Sequence, residues 1–98
     1  MLLDEPTSNL DLRHQQEVLT YLCRLSIDHQ VTILMVIHDL NLASMFCDRL
    51  IMFNEGEKVV EGAPSQVITK ELMKSVYNVD VEIIYNEDKP HILLRPQD

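Results

Sequence analysis

Val31-Thr32-Ile33-Leu34-Met35-Val36-Ile37 is the segment that most restricts the folds open to this chain. A strand with one wet face alternates apolar and polar residues, and this run does not alternate. Its continuous, β-branched make-up suits a strand covered on both sides, as in a parallel sheet. Seven residues fall far short of the ~20 that a membrane span needs. A second buried strand is expected to end at residues 1–3, where Met1-Leu2-Leu3 runs into two carboxylates, Asp4 and Glu5.

Between these strands Asp11 has the character of an N-cap. A helix is expected from there to about Asp28, with Val18, Leu22 and Leu25 on one face and Leu19 beside them. After His38 and Asp39 a short helix should run through Leu40, Leu42, Ala43 and Phe46. Arg49–Phe53 and Lys58–Val60 flank the turn-rich Asn54-Glu55-Gly56-Glu57 and read as a hairpin. Pro64 starts a short helix, and Glu71–Val76 continues helical after a break. Residues 81–85 and 91–95 read as a second hairpin around Asn86-Glu87-Asp88-Lys89-Pro90. The change of character near Gly62-Ala63-Pro64 divides the chain into an α/β part, 1–62, and a small α+β tail, 63–98.

Ninety-eight residues make one domain at most, and 46% hydrophobic with 24% charged residues describes an ordinary globular chain. The net charge is −8, shared evenly between residues 1–53 and 54–98. With no cluster of Lys or Arg, a nucleic-acid footprint is not expected. An acidic surface also disfavours unaided binding to an anionic membrane. Cys23 and Cys47 sit in apolar surroundings without metal-ligand spacing, and read as reduced thiols acting as small hydrophobes in a reducing compartment. Met35, Met45, Met52 and Met73 fall at apolar positions and read as core.

The chemistry concentrates at strand ends, where open α/β sheets place their ligands. Successive strand residues point to opposite sides, so Asp4 and Glu5 can serve different tasks. Asp4 is suited to hold Mg²⁺, through a water, and Glu5 to face an attacking water and take or orient its proton. Asp-Glu-Pro is equally good turn chemistry when judged alone. His38 follows a strand and precedes a helix, so its ring belongs at the same edge as Asp4. An imidazole there can donate a hydrogen bond to a phosphate oxygen. It can equally cap or pack. Ser8-Asn9-Leu10-Asp11 suffices as the lead-in to a helix, and His14, His29 and His91 show no zinc-ligand spacing.

A phosphate cradle is not to be found beside these carboxylates. Gly56 and Gly62 are the two glycines, and no G-x-x-x-x-G-K-[ST] can be written with them. The chain therefore reads as the C-terminal part of an ATPase with the nucleotide-gripping part left out.

L-L-D-E-P-T-S, then N-L-D, then an apolar strand ending in I-H-D, resembles the second half of an ABC-transporter nucleotide-binding domain. On that resemblance Met1–Asp4 matches the Walker B motif, with Asp4 its metal residue, and Glu5 the catalytic glutamate. Ser8–Asp11 matches the D-loop, whose Ser8 and Asp11 lie toward the nucleotide, and His38 matches the switch histidine. The segments Leu10–Gln15, Ile37–Ala43, Val67–Leu72 and Val76–Val81 are similar to ATPases of iron-siderophore, haem and cobalamin importers.

The resemblance implies a partial three-layer P-loop α/β sandwich with a small tail, using ATP and Mg²⁺ in the full-length domain. It implies a second ATPase subunit and transmembrane permease subunits as partners, and a cytoplasmic place at the inner face of the membrane. The Walker A lysine, Q-loop and signature motif have no matching segment, so the chain alone is expected to bind no cofactor and to be inactive. The other reading is a noncatalytic module that self-associates or binds a partner. Strands near residues 1–3 and 31–37 should lack neighbours, and an uncovered apolar edge invites a second chain.

Overall fold

The computed structural model describes residues 1–94 and Pro96. Position 95, the end of the expected second hairpin, lies outside the described residues. Two compact units emerge, Met1–His38 and Asp39–Asp98.

In the first unit β1 (Leu2–Asp4) pairs parallel with β2 (Leu34–Val36), in the register Leu2 with Leu34, Leu3 with Met35 and Asp4 with Val36. Parallel strands cannot share a tight turn, and α1 (Leu12–His29) supplies the crossover. Asp11 caps α1 as expected, its side chain accepting from the His14 N–H at 2.9 Å. Gln30 ends the helix in the left-handed region at φ 53°, and its N–H donates to the Ser26 carbonyl. Leu19 and Leu22 are the residues of α1 that become buried, with Val18 and Leu25 half-buried.

The structure corrects the seven-residue strand expected at 31–37. Three residues form β2, and Leu34 and Val36 are 56% and 44% exposed instead of covered on both sides. The reason lies in the ladder: among the described residues β2 has β1 as its one neighbour, and only the Leu3/Met35 pair turns away from water. Leu2, Leu34 and Val36 therefore form an open apolar face.

The second unit contains α2 (Leu40–Phe46), β3 (Leu50–Asn54), β4 (Glu57–Gly62), α3 (Pro64–Val67), α4 (Lys70–Tyr77), β5 (Glu82–Asn86) and β6 (Lys89–Leu93). Two antiparallel hairpins, β3–β4 and β5–β6, carry it. Both turns have two central residues with positive φ, Glu55 and Gly56 in one and Glu87 and Asp88 in the other. That is the type I′ geometry whose twist matches a hairpin. The second turn is thus shorter than the expected Asn86–Pro90 loop: Lys89 and Pro90 belong to β6.

Met52 of β3, Val67 of α3 and Met73 of α4 form the core of this unit. Leu40, Leu50, Val60, Leu72, Val76, Val81 and Ile92 pack around them. Burying one such side chain contributes about 1.5–3 kcal/mol. Because Met52 is buried against Val67 and Met73, the first hairpin packs with the tail. Along the chain the division between the compact units falls between His38 and Asp39.

Candidate functional site

Asp4 is the last residue of β1 and stands opposite Val36 at the exposed end of the parallel pair. Glu5 continues the ladder for one more bond, its N–H donating to the Val36 carbonyl at 2.9 Å. There the strand stops, because Glu5 takes φ 50°. A non-glycine residue in the left-handed region is held there by its surroundings, and such positions collect at functional sites. Its carbonyl then accepts from the Ser8 N–H at 3.1 Å, closing a turn.

The consequence is a meeting across 33 positions of sequence. Glu5 Oε1 accepts from the backbone N–H of His38 at 2.8 Å and lies 3.3 Å from His38 Nε2. Both contacts fall on one carboxylate oxygen, leaving Oε2 as the atom able to receive a water proton. The Glu5 side chain is 26% exposed and the His38 ring 85% exposed, so the carboxylate is sheltered while the ring stands in solvent. Strand pairing builds this arrangement: Val36 is fixed by β1, and His38 follows two residues later.

Ser8 and Asp11 are placed differently. Ser8 is exposed in the turn after Glu5, tied to it through the backbone. Asp11 spends its carboxylate on the start of α1, where Oδ1 accepts from the His14 N–H and lies 2.7 Å from His14 Nδ1. His14, which shows no zinc-ligand spacing in the sequence, is thus a partner of Asp11. The structure brings Asp4, Glu5 and His38 to one edge and leaves Asp11 with His14. Sequence reasoning did not single out Thr7, which is 4% exposed in the middle of this loop, with its carbonyl accepting from the Leu10 N–H at 3.2 Å. A small hydroxyl residue after Pro6 carried no signal of burial.

No group of three or more His, Cys, Asp or Glu side chains able to hold a metal exists among the described residues. Mg²⁺ takes six oxygens in near-ideal octahedral geometry, and Asp4 offers a single carboxylate. At this edge the paired groups are Glu5 and His38. Among the described residues no helix is long and apolar enough to cross a membrane.

Known proteins resemble this chain over most of its length. No family model matches the chain. The hemin import ATP-binding protein HmuV of Shewanella denitrificans is 41% identical over 88 residues, covering 90% of this chain and 35% of that protein. The iron(3+)-hydroxamate import ATP-binding protein FhuC of Bacillus subtilis is 46% identical over 84 residues, or 86% and 31% of the two chains. The petrobactin import ATP-binding protein FpuC of Bacillus anthracis is 38% identical over 90 residues, or 92% and 33%. A solved metal-chelate-type ABC transporter in an inward-facing conformation superposes with a TM-score of 0.76 at 24% identity, over 93% of this chain and 37% of its own. That likeness bears out the partial ABC ATPase fold with its small tail. The chain spans about a third of the length of these relatives, and over that third it is similar to ABC-importer ATP-binding proteins.

Proposed function

We propose that this chain carries the water-activating portion of an importer ATPase, acting in uptake of an iron chelate or haem. The observation that carries the reading is the convergence of Glu5 and His38 on one carboxylate oxygen at the end of a parallel strand. In this reading Glu5 is the general base: Oε1 is held by His38, and Oε2 orients and deprotonates the attacking water. His38 anchors that carboxylate through its N–H and presents its exposed ring to a phosphate oxygen. Asp4 supplies one carboxylate toward a nucleotide-bound magnesium, and Ser8 and Asp11 lie toward the nucleotide of a paired ATPase subunit. The metal, when bound, would neutralise phosphate charge.

Residues 1–62 form the ATPase part in this proposal and 63–98 the accessory tail. The working assembly is a pair of ATPase subunits on the cytoplasmic face of permease subunits. The names of the relatives, all import ATP-binding proteins for haem or iron chelates, support this choice.

A chimera tests it, joining this chain to the remaining two thirds of a relative such as FhuC of Bacillus subtilis. The chimera should hydrolyse ATP, and Glu5→Gln should lower kcat by on the order of 10²-fold or more. Equal turnover by the Glu5→Gln chimera would sink the assignment. The 98-residue chain alone should neither bind nor hydrolyse Mg·ATP.

A second reading has its own observation. The open face of Leu2, Leu34 and Val36, on strands that among the described residues pair only with each other, favours a module that associates with a second copy. Sedimentation would show a dimer that Leu34→Lys abolishes; a monomer at high concentration would rule it out.

A further inference from the structure

Strand β6 pairs with β5 along one edge, and its other edge meets the side chains of α2. Asn41 Nδ2 donates to the Ile92 carbonyl at 3.2 Å, and the Ile92 N–H donates to Asn41 Oδ1 at 2.7 Å. One carboxamide thus makes the two reciprocal bonds that a neighbouring strand residue would make. One pleat away, the Ser44 hydroxyl donates to the Pro90 carbonyl at 2.6 Å, and Ser44 is fully buried. Pro90 has no N–H to satisfy, so the ladder is complete there too. Lys89 Nζ donates to the Cys47 carbonyl at 3.0 Å, which fixes the far end of α2 to the same strand. Every outward backbone group of Pro90 and Ile92 is occupied by this helix.

An exposed strand edge is a template for pairing with another chain. The β5–β6 hairpin needs protection more than most, since Ile84, Tyr85 and Leu93 are 50%, 62% and 38% exposed. We propose that Asn41 and Ser44 form an intramolecular block, a side-chain surrogate strand that keeps β6 from adding a strand of a second copy. The block is local to Asp39–Asp98 and does not depend on the ATPase reading.

Asn41→Leu keeps the volume and removes both bonds. In the full chain it should speed exchange of the Ile92 amide by roughly tenfold or more and strengthen self-association in sedimentation by a similar factor over the parent. Adding Ile92→Pro removes the outward N–H without touching the β5 side, and should return association to the parent level. Parent-like association with Ile92 still protected in Asn41→Leu would overturn the proposal. So would association that Ile92→Pro leaves unchanged. If Asn41→Leu lost its circular dichroism, Asn41→Ala, which also removes both bonds, would be judged by the same two readouts.

Discussion

Met1–His38 and Asp39–Asp98 solve the same problem, how to finish a small sheet, in opposite ways. The first unit joins two strands through an 18-residue helix and leaves Leu2, Leu34 and Val36 facing water. The second uses tight hairpins, buries Met52, Val67 and Met73 together, and closes the β6 edge with side chains. Antiparallel pairs can be completed by residues close in sequence. A parallel pair needs cover brought from elsewhere, so the unit with the candidate chemistry is also the one least complete in itself. Stability should concentrate in the second unit.

The largest test of that contrast compares a buried and an exposed apolar side chain. Met73→Ala should cost about 2–5 kcal/mol in urea unfolding, whereas Leu34→Ser should cost about 0.5 kcal/mol or less and improve solubility. Equal losses would remove the distinction between the units. Next in size, Asp11→Ala should cost about 1 kcal/mol, through the lost N-cap of α1. Residue-resolved hydrogen exchange should show that loss in α1 while β3 and β4 keep their protection. A loss spread evenly over the chain would mean that the two units unfold together.

Glu87→Asn should move stability the other way. Glu87 sits at φ 53° in a type I′ turn, where Asn is favoured, and a gain of about 0.5–1 kcal/mol in the urea midpoint is expected. The smallest effect concerns Glu61, whose carboxyl is held below its ordinary value of 4.5, first by the hydrogen bond from Arg49 and then by Lys58. With a depressed folded value, its contribution is present above about pH 4.5 and disappears as pH falls through that lowered value. Because the pair is on the surface, 1 M salt should shrink the difference between parent and Glu61→Gln at pH 7. A difference that grows in acid would contradict the ion pair.

Much of the fold could be read from residue types because local rules govern it. Asp11 announces a cap, Asn54-Glu55-Gly56-Glu57 a tight turn, and Pro64 a helix start, and each acts within a few residues of itself. The length of β2 could not be read this way, since a strand's extent depends on its neighbours and Val31–Ile37 finds three paired positions. Asp4, Glu5 and His38 stood out by type and position at strand ends. Their geometry did not: the positive φ of Glu5 and the two contacts on Oε1 arise from a pairing across the crossover. Asn41 was invisible for the same reason, being matched to Ile92, 51 positions away.

The crossover between β1 and β2 also has a bearing on time. Hairpins such as β3–β4 close on a scale of about 1–10 μs, because their strands are adjacent in sequence. Met1 and Leu2 must instead find Thr32 and Leu34 across the whole of α1, and the bond from the Met1 backbone nitrogen to the Thr32 carbonyl spans 31 positions. The entropy of closing such a loop is lost before any ladder bond forms, unless α1 winds first and carries the two ends toward each other. The pairing that brings Glu5 to His38 is therefore the step that waits: in refolding, protection of the Leu34 and Glu5 amides should lag behind that of the β3–β4 ladder.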